Sequence, residues 1–232
     1  VFVADCRIPH PSLTTFNFRS LSVQATKRRS VQSHRHGYVM RCIKRYLAIS
    51  NILCAQETWL KPNDAASLQA SLPNHKVFYN NHPVNRAGTL VIVDNRLLRH
   101  YKVREIPPRP GCEGRVQVLH FSDALASETQ AAKRHPFYPI NLYLQSGDES
   151  VRRSEQLSSL LRLPVTPDTR SFLVGDLNFV ESPQDDASGD HCVIPAAWPE
   201  VVEHFSLREV SQPLHTCFSL STSTARCRSS RL

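Results

Sequence analysis

The segment Phe172-Leu173-Val174-Gly175-Asp176-Leu177-Asn178-Phe179-Val180 constrains the fold of this chain more than any other. Its apolar run reads as a buried strand, and Gly175 lets the backbone turn tightly where that strand ends. Asp176 and Asn178 then fall at the strand's C-terminal edge, where α/β proteins place their chemistry. A carboxylate and an amide two residues apart can divide one task, the first handling a proton or a cation and the second donating to a phosphate oxygen. A strand followed by an Asx turn uses the same residues, and Gly-Asp-x-Asn taken alone suits that turn at least as well.

The theme of a strand ending in a polar residue recurs upstream. Residues 13–20 alternate, with Phe16 and Phe18 on one side and Asn17 on the other, which predicts a first strand carrying Asn17 near its end. Residues 51–56 are apolar enough for a buried strand, and they deliver Glu57. Between them, Val39, Ile43, Tyr46 and Leu47 share one face of a helix predicted over 38–47. Downstream, the pattern predicts a helix over 65–72, a strand over 77–79, a loop over 80–85 and a strand over 89–93. Pro107, Pro108 and Pro110 break the chain before a strand over 115–121. The polar stretch 122–136 reads as an insertion at a hairpin tip ahead of a strand over 140–143. A helix over 151–163 is stopped by Pro164 and Pro167, and a short helix over 201–207 precedes strand-like residues 214–220. There is no internal repeat and no low-complexity segment.

No Pro/Gly/Ser-rich linker divides the 232 residues, so the pattern predicts a lead-in over residues 1–12 and one domain over 13–232. No apolar stretch approaches the roughly 20 residues that cross a bilayer, so no membrane partner is expected. The seven cysteines are odd in number and contain no Cys-x-x-Cys pair, which predicts reduced thiols in an intracellular protein. His215, Cys217 and Cys227 lack the paired spacing of a closed zinc site. The 28 Lys and Arg against 20 Asp and Glu give a formal charge of +8, which favours a polyanionic partner, nucleic acid first, over a merely solvated basic surface. The basic residues cluster at Lys27-Arg28-Arg29, at 35–45 and at 226–231, a pattern that predicts affinity without base-specific reading.

Five blocks in order carry a resemblance: Asn17 in Thr-Phe-Asn-Phe-Arg-Ser-Leu, Glu57 in Cys-Ala-Gln-Glu-Thr-Trp-Leu, Arg-Ala-Gly-Thr-Leu-Val-Ile-Val at 86–93, Tyr143 in Ile-Asn-Leu-Tyr, and Gly-Asp-Leu-Asn at 175–178. Together they resemble the endonuclease/exonuclease/phosphatase superfamily, and within it the apurinic-type endonuclease domain of non-LTR, LINE-like retrotransposons. The resemblance covers about residues 13–232. It implies an α/β fold of two mixed β-sheets packed as a sandwich with helices on both outer faces, four layers in the order α/β/β/α. It also implies hydrolysis of DNA phosphodiester bonds with Mg²⁺ or Mn²⁺, in the nucleus, within a longer polyprotein that includes a reverse transcriptase.

The roles it implies suit the side chains. Glu57 would be the main metal ligand, since Mg²⁺ takes few carboxylates and keeps several waters, with Asn17 beside it steering the metal or a phosphate oxygen. Tyr143 would donate its phenolic proton toward the scissile phosphate, Asp176 would orient or deprotonate the attacking water, and Asn178 would hold a phosphate oxygen. Lys27, Arg28 and Arg29 would contact the nucleic acid backbone. Each residue also has a plainer reading, Asn17, Asp176 and Asn178 as turn formers, Tyr143 as a strand residue and Glu57 as an exposed strand end; five such residues in the family order make that reading improbable jointly.

The chain also departs from the pattern. The resemblance calls for an aspartate after a Ser-Arg-Leu type strand and a terminal Ser-Asp-His. Ser230-Arg231-Leu232 resembles the start of the first and the sequence stops there, so the domain is expected to be incomplete at its C-terminus, with its final strands missing and its activity impaired. Gly189-Asp190-His191 imitates the terminal motif only a short loop after Asn178, and reads as a surface-loop coincidence. Two other readings stay open: a non-catalytic remnant that only binds nucleic acid, and a phosphatase or RNA exonuclease of the same superfamily.

Overall fold

The computed structural model describes residues 11–18, 29–82, 87–124, 135–147, 149–163, 170–179 and 193–208, with the side chains of 29–36 excepted. The chain forms two compact units, Val1–Tyr143 with Thr166–Gly175, and Leu144–Val165 with Asp176–Leu232.

The first unit holds two four-stranded sheets. One consists of β1 (Leu13–Asn17), β2 (Ile52–Gln56), β3 (His75–Asn81) and β4 (Gly88–Asp94) in the order β1-β2-β4-β3. It is mixed: β1 and β2 run parallel, joined through helix α1 (Arg29–Leu47), and the other pairs are antiparallel. The other consists of β5 (Tyr101–Ile106), β6 (Val116–Asp123), β7 (Phe137–Tyr143) and β8 (Arg170–Asp176), in that order. The first two pairs of this sheet are antiparallel. Arg170 N–H donates to Pro136 O at the start of β7 and β8, and Leu144 N–H donates to Asp176 O at their ends, so β7 and β8 run parallel. The second sheet is therefore mixed as well, and the fold is the α/β sandwich that the sequence implies.

The central strands β2 and β4 are buried along their whole length, which is why they read as continuous apolar runs. Period-2 alternation divides their side chains between two cores. Leu53, Ala55, Leu90 and Ile92 pack against Ile43 and Leu47 of α1, against Leu68 of α2 (Pro62–Ala70), and against Leu72. Ile52, Cys54, Val91 and Val93 face the second sheet, where they meet Leu119, Phe121 and Phe137. Phe121 and Phe137 stack at 4.4 Å between ring centroids, and Tyr101 meets Phe137 edge-on at 5.1 Å. A one-turn helix, α3 (Asn95–Leu98), follows β4; Asp94 caps it by accepting from Arg96 N at 2.7 Å.

The inner faces of the sandwich change character along their length. At one edge they carry apolar residues such as Leu13, Ile52, Val93, Phe121 and Phe137. The same faces, followed two residues at a time, end at the other edge in Asn17, Gln56, Thr89, Gln117 and Asn141, then Tyr143. Buried polar groups are tolerated only when bonded, and here two amides bond each other across the sheets. Gln56 Nε2 donates to Asn141 Oδ1 at 2.7 Å and to Thr15 Oγ1 at 2.9 Å. Asn141 Nδ2 donates to the carbonyls of Ala55 and Leu90, each at 3.1 Å, where the β2–β4 ladder ends. Both amides are buried, and they tie β7 to β1, β2 and β4.

The second unit contains α4 (Ser150–Ser158), a 3₁₀ turn at Leu160–Arg162 and α5 (Trp198–His204). Arg153 of α4 is buried, and its Nη1 donates to Gln145 O and Gly147 O, holding the segment that precedes the helix.

Several predicted elements differ in extent or were absent from the sequence reading. α1 begins at Arg29, well before residue 38, and β3 includes Asn80 and Asn81, which the pattern placed in a loop. Asn80 is buried there because its amide is satisfied twice: Nδ2 donates to Val116 O at 2.9 Å and Oδ1 accepts from Gly114 N at 3.0 Å. β5 was not predicted at all. Residues 214–220 and the tip of the β6–β7 connection lie outside the described residues.

The bridge between the sheets makes a measurable demand. Asn141→Leu keeps the size of the side chain but leaves Gln56 Nε2 and the Ala55 and Leu90 carbonyls short of partners, so it should lower unfolding free energy by about 3 kcal/mol or more. Urea denaturation of the variant should show a clearly lower midpoint; a midpoint matching the wild type would mean that the bridge contributes nothing.

Candidate active site at the strand ends

β1 and β2 are parallel and in register, Asn17 opposite Gln56, so they end together and Glu57 follows at once. Asn17 Nδ2 donates to Glu57 Oε1 at 2.9 Å. Glu57 reaches this position through a left-handed backbone, φ +53, and Trp59 repeats it at φ +48. For residues with a Cβ that conformation costs about 1 kcal/mol or more, and it persists only where neighbours enforce it. The neighbour is β4: Thr58 N–H donates to Gly88 O at 3.1 Å, and a Cβ on Gly88 (φ +156) would sit 2.5 Å from Thr58 Oγ1. The Ala-Gly of the sequence block at 86–93 is thus the backing of the Glu57 turn, with Ala87 buried beside it; Arg86 lies outside the described residues.

Tyr143 lies two residues beyond Asn141 on the same face of β7. Its ring is covered by the guanidinium of Arg115, 4.4 Å from the centroid, and both residues are largely buried. Arg115 Nη1 donates to Tyr143 O at 3.4 Å, and Tyr143 N–H donates to Arg115 O at 2.8 Å. The phenol therefore stands beneath a fixed cation.

Asp176 and Asn178 belong to the second unit. Asn178 N–H donates to Asp176 Oδ1 at 3.2 Å, so the Asx turn that the motif allows does form. Asn178 Nδ2 donates to Leu144 O at 2.7 Å, which fixes the plane of the amide, and Asn178 itself is left-handed at φ +51. Gly175, one residue before Asp176, has φ +138, and a methyl group there would overlap the Leu142 carbonyl oxygen. The glycine of Gly-Asp-x-Asn is required by this close approach of β8 to β7.

Of the predicted site residues, Asn17 and Glu57 are in direct contact, Tyr143 is in the same unit, and Asp176 and Asn178 form a second bonded pair. Lys27 and Arg28 lie outside the described residues, as do Asp190, His191, His215, Cys217 and Cys227; Arg29 opens α1, with its side chain not described. Three residues that the sequence reading did not single out support the arrangement: Gln56, Asn141 and Arg115. The visible signal was a polar residue in or beside an apolar run, Gln56 at the end of β2, Asn141 inside β7 and Arg115 just before β6, since buried Gln, Asn and Arg need dedicated partners.

Among the described residues no three His, Cys, Asp or Glu side chains gather as a metal-holding group. Asn17 and Glu57 present hard oxygen donors with a single carboxylate. That donor set fits Mg²⁺ or Mn²⁺ held largely through water, and it lacks the three or four nitrogen, sulfur or carboxylate ligands of a zinc site.

The sequence matches the Endonuclease/Exonuclease/phosphatase family over residues 14–194. No curated protein matches it. Among solved structures, the fold is similar to the AP endonuclease LMAP from Leishmania major, at 17% identity and a TM-score of 0.59, over 83% of this chain and 66% of that one. It is similar to an AP endonuclease from Archaeoglobus fulgidus, at 17% identity and a TM-score of 0.54, over 84% and 69% of the two chains. A truncated Caenorhabditis elegans TDP2 is 20% identical with a TM-score of 0.42, over 61% of this chain and 54% of that one. The chain thus spans about half the length of that TDP2 structure and about two thirds of the two AP endonucleases.

The left-handed backbone at Asn178 separates two substitutions that remove the same amide. Asn178→Gly should be more stable than Asn178→Ala by about 1 kcal/mol, because glycine adopts this conformation without steric cost. Thermal or urea unfolding of the two variants decides the order, and an alanine variant as stable as the glycine one would show that the backbone there is not held.

Proposed function

The chain belongs to the endonuclease/exonuclease/phosphatase family, and on that premise we propose that it hydrolyses DNA phosphodiester bonds with a divalent cation, as a nicking endonuclease of the non-LTR retrotransposon type. The observation that carries this reading is the hydrogen bond from Asn17 to the Glu57 carboxylate at the joint end of two parallel strands. A carboxylate held this way, on a strained turn enforced by β4, is poised for a cation rather than for a structural ion pair. The named activity of the two AP endonucleases with the same fold supports DNA as substrate, and the order of the sequence blocks supports the retrotransposon type. That type carries with it a nuclear location and a polyprotein shared with a reverse transcriptase.

When bound, the cation, Mg²⁺ or Mn²⁺, would neutralise charge that develops on the phosphate. The protein's own groups do the rest in this reading. Glu57 and Asn17 hold the cation's position, and Asp176 orients the attacking water and takes its proton. Asn178, its amide plane set by Leu144 O, donates to a phosphate oxygen. Tyr143, its ring held under the Arg115 guanidinium, donates its phenolic hydrogen toward the phosphate.

Plasmid nicking with Mg²⁺ or Mn²⁺ tests the proposal. The wild type should convert supercoiled DNA to the nicked form, EDTA should stop it, and Glu57→Gln should reduce the rate by roughly 10² to 10⁴. Titration with Mn²⁺ should show weaker binding to Glu57→Gln; equal affinity together with equal nicking would remove Glu57 from the metal site.

A further inference from the structure

The excess positive charge of the chain is confined to one segment. Of the 28 Lys and Arg, nine fall within residues 6–56, which contain no Asp or Glu, while the other 19 are offset by the 20 acidic residues of the remainder. Helix α1 is the described centre of that segment. Its inward face is spent on the core, with Ile43 and Leu47 buried and Val39, Met40 and Tyr46 packed against the same cluster. Its outward face carries Tyr38, 61% exposed, and the exposed Arg41, Lys44 and Arg45.

An ordinary solvated helix face alternates charge sign, since Glu and Lys one turn apart support the helix. This one has a single sign, and no carboxylate among the described residues pairs with Arg41, Lys44 or Arg45. Lys44 and Arg45 sit in the last turn, where the helix dipole favours cations. That accounts for neither Arg41 nor the absence of acid over the whole segment. Tyr38, Arg41 and Arg45 follow at i, i+3 and i+7, one stripe about 10 Å long, a length over which duplex DNA carries roughly six phosphates.

The stripe is also separate from the candidate catalytic pair. Just after α1, Asn51 N–H donates to Ser12 O and Ser12 N–H donates to Asn51 Oδ1, which pins the end of the helix to the start of β1. From there α1 runs back beside the strands, with Tyr46 against Phe16, on the face of β1 and β2 that carries Leu53 and Ala55; Asn17 shares the opposite face with Leu13, so the sheet lies between the stripe and Asn17.

We propose that the outward face of α1, through Tyr38, Arg41, Lys44 and Arg45, is a docking surface for the sugar-phosphate backbone of duplex DNA, distinct from the residues that cleave it. The choice of DNA as the polyanion rests on the cleavage reading; the surface itself rests on charge and exposure. Its contacts are to phosphates, so it binds without regard to sequence and its strength falls with salt.

The test is fluorescence anisotropy of a labelled duplex of arbitrary sequence, titrated with the full chain over a range of KCl. The logarithm of affinity should fall linearly with the logarithm of salt. The triple variant Arg41→Gln, Lys44→Gln, Arg45→Gln should flatten the slope by about 2.7, three phosphate contacts at 0.9 each. Tyr38→Ala should weaken binding while leaving the slope in place. Far-UV circular dichroism and thermal melting should match the wild type, because all four side chains are on the surface. An unchanged slope and affinity in the triple variant overturns the proposal. So does a variant that loses binding to phosphatidylserine vesicles yet keeps its affinity for DNA. Glu57→Gln, which should lose nicking, should keep the wild-type salt slope, so failure of the cleavage reading and failure of the docking surface give different results.

Discussion

The amide pair Gln56 and Asn141 is the contact on which the arrangement of the first unit depends. Each sits inside the sandwich, one from each sheet, and together they satisfy one another, a threonine hydroxyl and two strand carbonyls. A buried amide without partners costs several kcal/mol, so these bonds form together or not at all. Hydrophobic contact alone would let two sheets slide by a residue pair, because a core of Val, Ile and Phe is tolerant of register. A donor that must meet two carbonyls is not. The pair also sits immediately ahead of the candidate chemistry: Glu57 is the next residue after Gln56, and Tyr143 is on the same face two residues after Asn141. Fixing the amides therefore fixes the ends of β2 and β7 with respect to each other.

Among the described residues, left-handed backbone outside glycine follows β2, at Glu57 and Trp59, and follows β8, at Asn178; a fourth such residue, Ser206, comes after α5. Glu57, Trp59 and Asn178 all have positive φ, and none is a glycine. The glycines nearby, Gly88 and Gly175, are needed because another backbone crosses where a Cβ would be. Side chains with chemistry thus occupy the left-handed positions while glycines occupy the crowded ones. Strain of this kind holds a carboxylate or amide in one orientation before any ligand arrives, and it is retained because packing around it over-determines the backbone.

What was legible in the sequence follows from how local each signal is. β2 and β4 declare themselves as continuous apolar runs, and the face of α1 that enters the core shows in the spacing of Val39, Ile43 and Leu47. That Asn17 lies beside Glu57 was implied by the resemblance; the parallel, in-register pairing of β1 and β2 that brings them into contact is announced by no local pattern. β5 escaped because it is an edge strand, Tyr101-Lys-Val-Arg-Glu-Ile106, whose charges suit an exposed sheet border and mask its alternation. Asn80 escaped because asparagine after an apolar run is a turn signal by default, and only partners 34 and 36 residues away make it a strand residue. The bridge from Gln56 to Asn141 spans 85 residues, and the cover of Tyr143 by Arg115 spans 28. No periodicity within a window reports such pairings.

The change from hydrocarbon to hydrogen-bonding groups along the inner faces has a mechanical meaning. Hydrocarbon contacts among Ile52, Val93, Phe121 and Phe137 keep water out of one end of the sandwich, and separating them exposes apolar surface at full cost. At the other end the contacts are directional: Gln56 and Asn141, both buried, hold each other and the Ala55 and Leu90 carbonyls, so displacing either breaks several bonds at once. The two ends of a single strand are thus held by different means, one by apolar area that tolerates small shifts and the other by bonds that do not. Such a fold can absorb repacking at its apolar end while its polar end keeps the residues that follow Gln56 and Asn141 in one arrangement.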